Sequence, residues 1–542
     1  MHKYPNLPWL VALVIISTLL LSNLATKGIY SSHDGEVHIA RIAQFEQALK
    51  HQGPPVRWLA NFNFSFGYPT FVYAYSLPYY LGSILNVATK NPEVTFKLLM
   101  LLSVTFSAIT FYYFAKLTLS RIAAFVGSIF YISAPYRFTD IYERGALGEA
   151  LSFILMPLMF MAPYLIKGNI YGGFIATTLI VFTFIGIHAI TFVIFLLATI
   201  AFCPLIFKKQ LKLYLYLAAA IGLGFLLSSF QWMPMIFEQK YINLDKTYFN
   251  IFEGHLLSIY QLLRIPKDSV VVGTGIQLGT AQFIVTALAA LITLIKYIKS
   301  KKVDKYSLFF LSAIFLSVFL AADFSTFLWR SFRPLATILF PWRFLTVTTF
   351  AAAFLAAYLL AKIKSDKTRI LAIAFVLFIA VYPSRHFLIG KHWHTYAADY
   401  YRSYQDPYKL DNYYLPKGLA QNIENLQLAP ISIVSGSGRT NLIIRKNNQL
   451  EAVLEINEPS KIQLHTIYFP GWELEIDGQK SQVITDFKNL EGIIIANVPQ
   501  GSHLLSLKFT ETPLRKTANL LTAASLLLLL SVPLLRRERH AA

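Results

Sequence analysis

Eleven residues, Ser31 to Arg41 (SSHDGEVHIAR), gather His33, Asp34, Glu36, His38 and Arg41 in a chain that is only 14% charged. A carboxylate at Asp34 or Glu36 can take a proton from an attacking hydroxyl. The imidazole of His38 and the guanidinium of Arg41 can bind or orient what reacts there. The same residues also have a structural use, with Asp34 as the N-cap of the next helix and Glu36 complementing its dipole. That helix reads as amphipathic. Ile39, Ile42, Phe45 and Leu49 share one face, and Arg41, Gln44, Glu46, Gln47 and Lys50 point away from it.

Three further places carry chemistry-bearing side chains. The stretch APYRFTDIYERGALGEA holds Arg137, Asp140, Glu143, Arg144 and Glu149. These either pair with one another to anchor helix ends or form a functional cluster. His188 lies between two apolar runs, where a lone His is commonly a hydrogen-bonded structural residue. In FPWRFL, Phe340 to Leu345, Arg343 stands one turn into an apolar helix. It can snorkel outward beside Trp342 or hold a phosphate. The glycine-rich SVVVGTGIQLGT at 269–280 lacks the Lys-Ser/Thr of a phosphate loop and is read as a flexible connection.

The elements that position these residues are membrane spans. Of the 542 residues, 55% are hydrophobic, the composition of an integral membrane protein. Apolar runs fall near 7–24, 95–115, 121–135, 149–166, 171–187, 189–207, 211–232, 277–297, 306–322, 341–361, 369–385 and 516–535, about twelve spans. The first is read as a retained span rather than a cleaved leader. The net charge of +20 sits mostly in short loops such as Lys208–Lys212, Lys296–Lys305 and Lys362–Arg369, and in the Arg536, Arg537 and Arg539 tail. That pattern sets orientation, with both termini cytoplasmic, and does not point to a nucleic-acid partner. The outer loops are then 25–94, 136–148, 233–276 and 323–340. Residues 68–86, aromatic and broken by Pro69 and Pro78, are read as an outer-surface or re-entrant element with its tyrosines at headgroup level. The single Cys203 excludes an intramolecular disulfide.

From about residue 390 the composition changes. Short alternating stretches (LEAVLEI, KIQLHTIYF, WELEIDGQ, HLLSLKF) are separated by turn residues such as Asp477-Gly478. They predict a β-sandwich from about 428. The fold expected is a polytopic α-helical membrane protein with a C-terminal extracytoplasmic β-sandwich domain and a final transmembrane helix. The divisions are 1–385 for the multi-span membrane domain, 386–515 for the outer domain, and 516–542 for the last helix and basic tail.

Together, SHDGEVHIARI, PYRFTDIYERGALGEA and FPWRFL resemble bacterial multi-spanning proteins named for a "6-pyruvoyl-tetrahydropterin synthase-related" membrane domain. Nothing here is similar to the soluble pterin enzyme, which needs a zinc-binding His triad. FPGWELEIDGQ and VPQGSHLLSLKFTETPLR also resemble the outer domain and last span of a related family linked to wall-polymer glycosylation. Both families look like members of the GT-C superfamily of integral membrane glycosyltransferases.

The resemblance implies a polyprenyl-phosphate-linked sugar donor, an envelope glycan, lipid or protein acceptor, and a location in the bacterial inner membrane with the reaction on the outer face. The superfamily's acidic position falls on Asp34, with Glu36 second. Many members carry two adjacent acids, whereas here Gly35 intervenes, so both residues stay candidates for the base. Arg144 and Arg343 would hold the phosphate, with Arg137 and Arg41 behind them. Glu143, Asp140, His188 and His38 would orient the acceptor or bind a divalent metal, which this chemistry permits without demanding. The competing class is a transporter, flippase or scaffold for envelope polysaccharide. Transporters usually carry mid-span ionisable residues and repeat symmetry, and the sequence has few such charges and no clear repeat.

Overall fold

In the computed structural model, residues 5–243, 250–263, 275–388, 392–397, 399–405, 414–419 and 429–541 are described. Each of the twelve apolar runs overlaps a helix. Among the described residues, seven helices are long and apolar enough to cross a membrane. The number is eight if Leu211–Leu227 and Ser229–Phe237, bent by 71°, form one span. Leu7–Leu20, Arg121–Ile132 and Lys305–Ala321 are shorter apolar helices.

The run at 170–207 is one 38-residue helix interrupted at His188, where φ is −163° and ψ is 91°. Its two ends return to the same place. Gly173 lies against the backbone of Leu165, and Lys167 Nζ donates to Ile206 O at 3.1 Å. The chain therefore doubles back near His188.

Residues 68–86 fold as Thr70–Tyr73 and Leu77–Thr89. Tyr68, Tyr73 and Tyr79 are buried within the protein and do not face its exterior. Periodicity explains the burial. Tyr79, Gly82, Ser83 and Asn86 face inward, and Leu81, Ile84 and Val87 are the exposed face.

Strands β1 (Ile29–Tyr30) and β2 (Trp393–His394) pair antiparallel and tie the first loop to the C-terminal region. That region folds as β3 (Ile431–Ser435), β4 (Gly438–Lys446), β5 (Gln449–Ile456), β6 (Ser460–Ile467), β7 (Trp472–Ile476), β8 (Gln479–Ser481), β9 (Val483–Ile484), β10 (Ile493–Val498) and β11 (Gly501–Phe509). Among the described residues they form two antiparallel sheets, ordered β3-β6-β10-β9 and β4-β5-β11-β7-β8. The alternation read from the sequence sets which face is buried. Leu450, Ala452, Leu454 and Ile456 on β5 point inward, as do Leu505, Leu507 and Phe509 on β11. Asp477-Gly478 makes the β7–β8 turn, with φ positive at both residues.

The core of these sheets includes Trp58, Phe66, Val72 and Tyr73 of the first loop. Trp58 meets Trp472 and Phe509 at 5.2 Å between ring centroids, and Phe66 stacks on His465 at 3.8 Å. A buried ion pair adds to this joint. Arg515, at the start of the last helix, gives Nε and one Nη to Glu238 Oε2 at 2.9 and 2.8 Å. Thr512 Oγ1 donates to Glu238 Oε1 at 2.9 Å.

The two side chains are 0% and 3% exposed, so removing one partner strands a charge. Glu238→Gln or Arg515→Met alone should cost about 3–5 kcal/mol, and the double substitution should cost clearly less than the two single losses added together. Unfolding of the four proteins in one detergent measures it. Additive losses would mean that the pair is not coupled.

Candidate active site

The segments 25–94 and 136–148 meet through their backbones. His33 N donates to Glu143 O at 3.0 Å and Asp34 N to Arg144 O at 2.9 Å. Gly145 has φ +64°, and a Cβ there would lie 2.8 Å from Gly35 N and 2.9 Å from Gly35 Cα. The glycine that separates Asp34 from Glu36 thus sits where the second loop presses closest. Asp34 occupies the N-cap position of the helix Gly35–Gln52, yet its side chain makes no capping hydrogen bond. The structural use proposed for it is therefore not made. The residue is half-buried, and among the described residues nothing hydrogen-bonds its carboxylate.

Thr139–Arg144 forms one π-helical turn, a local irregularity often found at functional sites. It aims Arg144 at two carboxylates, with one Nη at 2.6 Å from Asp140 Oδ1 and 2.8 Å from Glu149 Oε2. Glu149 Oε2 also lies 3.5 Å from Arg343 Nε, and Tyr136 OH donates to Glu149 Oε1 at 2.5 Å. One buried carboxylate thus joins two arginines from distant parts of the chain. Arg343 is further held by Ile338 O at 2.6 Å and by the Phe340 ring at 4.9 Å.

Burial, and then the neighbouring Glu149, push the Asp140 carboxyl well above the usual carboxylate range. Burial works against the Arg144 charge, and Glu149 and Asp140 overcome it. Glu149 thus lies between two guanidinium groups, and Asp140 pairs with Arg144 alone. Trp342 Nε1 and Arg41 Nε are buried donors with no hydrogen-bond partner among the described residues. An anion is the ligand such donors suit.

Beside this hub stands an aromatic wall. His38 Nδ1 is 2.7 Å from Tyr79 OH, and Arg41 also bonds the Tyr79 phenol, with Tyr75 and Tyr68 close by. Asp34 and Arg41 both act electrostatically on Tyr75 and Tyr79. The Tyr75 ring lies 5.6 Å from that of His188 and against Gly148, where a Cβ would come within 2.4 Å of Tyr75 Cζ. His188 bonds Thr191 Oγ1 at 2.6 Å and is within electrostatic reach of Arg343, Glu149 and Arg144. The structure therefore gathers Asp34, His38, Arg41, Asp140, Arg144, His188 and Arg343 in one region.

Three other candidates have different surroundings. Glu36 Oε1 accepts from Tyr396 OH at 2.6 Å, under a strap in which Tyr396 and Tyr400 stack at 4.1 Å. Arg137 is fully buried and bonds Ser107 Oγ and Ala150 O, with its guanidinium 4.0 Å from the Phe153 ring. Burial holds it down to about 10; it acts on Asp140 electrostatically, and among the described residues no hydrogen bond joins it to Glu149. Glu143 packs against Gly275, whose carbonyl accepts from Thr139 Oγ1 at 3.1 Å; residues 269–274 of the glycine-rich stretch lie outside the described residues. Among the described residues no group of three or more His, Cys, Asp or Glu is placed to hold a metal ion.

Sequence reasoning did not assign a site role to Glu149, Tyr75 or Tyr79. Glu149 had one signal, a carboxylate at the first turn of an apolar run. The tyrosines had none that distinguished them from interfacial anchors.

The chain matches the family described as "6-pyruvoyl-tetrahydropterin synthase related domain; membrane protein" over residues 71–388. No curated protein matches it. It is similar to the arabinofuranosyltransferase AftD from Mycobacteria, with 14% identity and TM-score 0.48 over 71% of this chain and 27% of that one. It is similar to the Archaeoglobus fulgidus oligosaccharyltransferase in the apo form, with 13% identity and TM-score 0.40 over 74% and 56%. For the arabinosyltransferase EmbB from Mycobacterium smegmatis the values are 10% and 0.37 over 94% and 64%. The chain thus spans 27% to 64% of the length of these structures. The likenesses are remote in sequence and in fold.

Burial, with Arg41 and Arg144 adding to it, holds His38 well below its ordinary value. It stays neutral in the folded protein and gains a proton only on unfolding. Its share of stability is present above the unfolded value of about 6.5 and is lost as pH falls below it, at up to about 1.4 kcal/mol per pH unit. Melting temperature in detergent should drop between pH 7 and pH 5, and His38→Gln should make the drop shallower. An equal slope in both proteins would exclude His38 as the cause.

Proposed function

The chain belongs to the 6-pyruvoyl-tetrahydropterin synthase related family of membrane proteins, and from that premise we propose that it is a membrane glycosyltransferase. It moves a sugar from a polyprenyl-phosphate donor to an envelope acceptor at the outer face of the bacterial inner membrane. In this reading all twelve apolar runs cross the bilayer and both termini are cytoplasmic.

The observation that carries the reading is that the half-buried Asp34 bonds through its backbone to Arg144, whose guanidinium shares the buried Glu149 with Arg343. Transfer of a glycosyl group from a lipid phosphate forms a bond from the acceptor oxygen to the anomeric carbon and breaks the bond to phosphate. The leaving phosphate gains negative charge as that bond breaks. Arg144 and Arg343 stabilise it where water is scarce and charge interactions are strong. Asp34 takes the acceptor proton. Its freedom from capping supports this role over Glu36, whose carboxylate is engaged by Tyr396. Arg41 and His38, tied to Tyr79, position the floor of the site, and Tyr75 and His188 form its wall. Arg137 supports the fold beneath Arg144.

The test is release of polyprenyl phosphate from a panel of polyprenyl-phosphate sugars by the purified protein in lipid. Asp34→Asn should lower turnover by about 10²–10⁴-fold. Arg343→Ala should lower it by a comparable factor, and Glu36→Gln far less. Wild-type turnover in Asp34→Asn, or no release from any donor, would sink the proposal. Retained donor binding in that last case would favour the transporter or scaffold class.

A further inference from the structure

A cavity of about 410 Å³ lies in the C-terminal sheets and shares no lining residue with the charged hub. It opens where Gln482 carries the chain from β8 to β9. These strands are the edges of the two sheets, so among the described residues their outer backbone groups have no ladder partner. Ser481, Val483 and Thr485, on or beside those edges, line the opening.

Trp472 and Tyr468 supply an aromatic wall. Trp472 is 8% exposed and is held edge-on to Trp58. Its indole Nε1 is buried without a hydrogen-bond partner among the described residues. Glu473 and Lys480, also in the lining, pair at 3.3 Å and cancel each other's charge.

This combination selects the ligand. A compensated ion pair gives no net attraction to an anion or a cation. Neutral donors and acceptors beside an aromatic wall suit a polyhydroxylated molecule, and the volume lies within the roughly 300–1,000 Å³ of ligand pockets. Addition of a peptide strand is disfavoured, because β8 offers three residues and β9 two, too short an edge to template a ladder. We propose that this cleft binds a neutral saccharide. The proposal does not depend on glycosyl transfer at the membrane face.

The experiment is saturation-transfer NMR on the full chain in lipid nanodiscs, with the methyl glycosides of glucose, galactose, mannose, N-acetylglucosamine and arabinose as probes. Lys480 and Glu473 have side chains 75% and 45% exposed, so Glu473→Ala/Lys480→Ala should fold, as an unchanged melting temperature will show. Transfer to at least one sugar is expected, with affinity lowered by about tenfold or more in the double variant. Asp34→Asn should bind as the wild type does, which separates failure of the cleft from failure of the membrane-face site. No transfer to any of the five from wild-type protein, or transfer unaltered in the double variant, would overturn the proposal.

Discussion

A single buried carboxylate, Glu149, holds the membrane-embedded half of this protein in its working arrangement. Two arginines cannot be taken out of water without a counter-charge, and Glu149 is the counter-charge for both Arg144 and Arg343. Arg144 belongs to the π-helical turn Thr139–Arg144, Glu149 to the helix Leu147–Ser152, and Arg343 to the turn that opens Leu345–Ala361. The shared carboxylate therefore brings three elements to one point. The first loop follows from it. Its backbone pairs with residues 143 and 144, and its closest approach uses Gly35 against Gly145. A larger residue at either position would separate Asp34 from the cationic hub.

The same site couples fold to chemistry through incomplete pairing. Burial and the neighbouring Glu149 push the Asp140 carboxyl up, against the pull of Arg144. Trp342 Nε1 and Arg41 Nε are buried donors without a hydrogen-bond partner among the described residues, an arrangement that is costly unless a polar group meets them.

The C-terminal sheets do not stand apart from this arrangement. Trp58 and Phe66 of the first loop are part of their core, and the Glu238–Arg515 pair ties the last helix to the bent helix Ser229–Phe237 that precedes Glu238. The strap that continues from β2 carries Tyr396 to Glu36 and Tyr401 to Glu93. The strap therefore engages one of the two acidic side chains of the first loop, Glu36, and not Asp34.

Much of this was legible from residue order alone, because it depends on local periodicity. Twelve apolar runs coincide with helices, the helix break falls at His188, and the alternation of β5 and β11 gives their buried faces. Asp34, Arg144 and Arg343 stood out as ionisable side chains beside long apolar runs, where an unpaired charge is rare. What remained hidden depends on contacts between segments far apart in the chain. Whether Asp34 caps its helix, and which way Glu36 turns, is decided by Arg144 O and by Tyr396. The burial of the tyrosines of 68–86 depends on distant partners, His38 and Arg41 for Tyr79 and Glu238 O for Tyr73. The role of Glu149 exists only because the fold sets Arg343 beside it. Periodicity determines which face of an element is buried, and only the tertiary structure decides which buried charges must share a partner, since that pairing is a property of the space between elements.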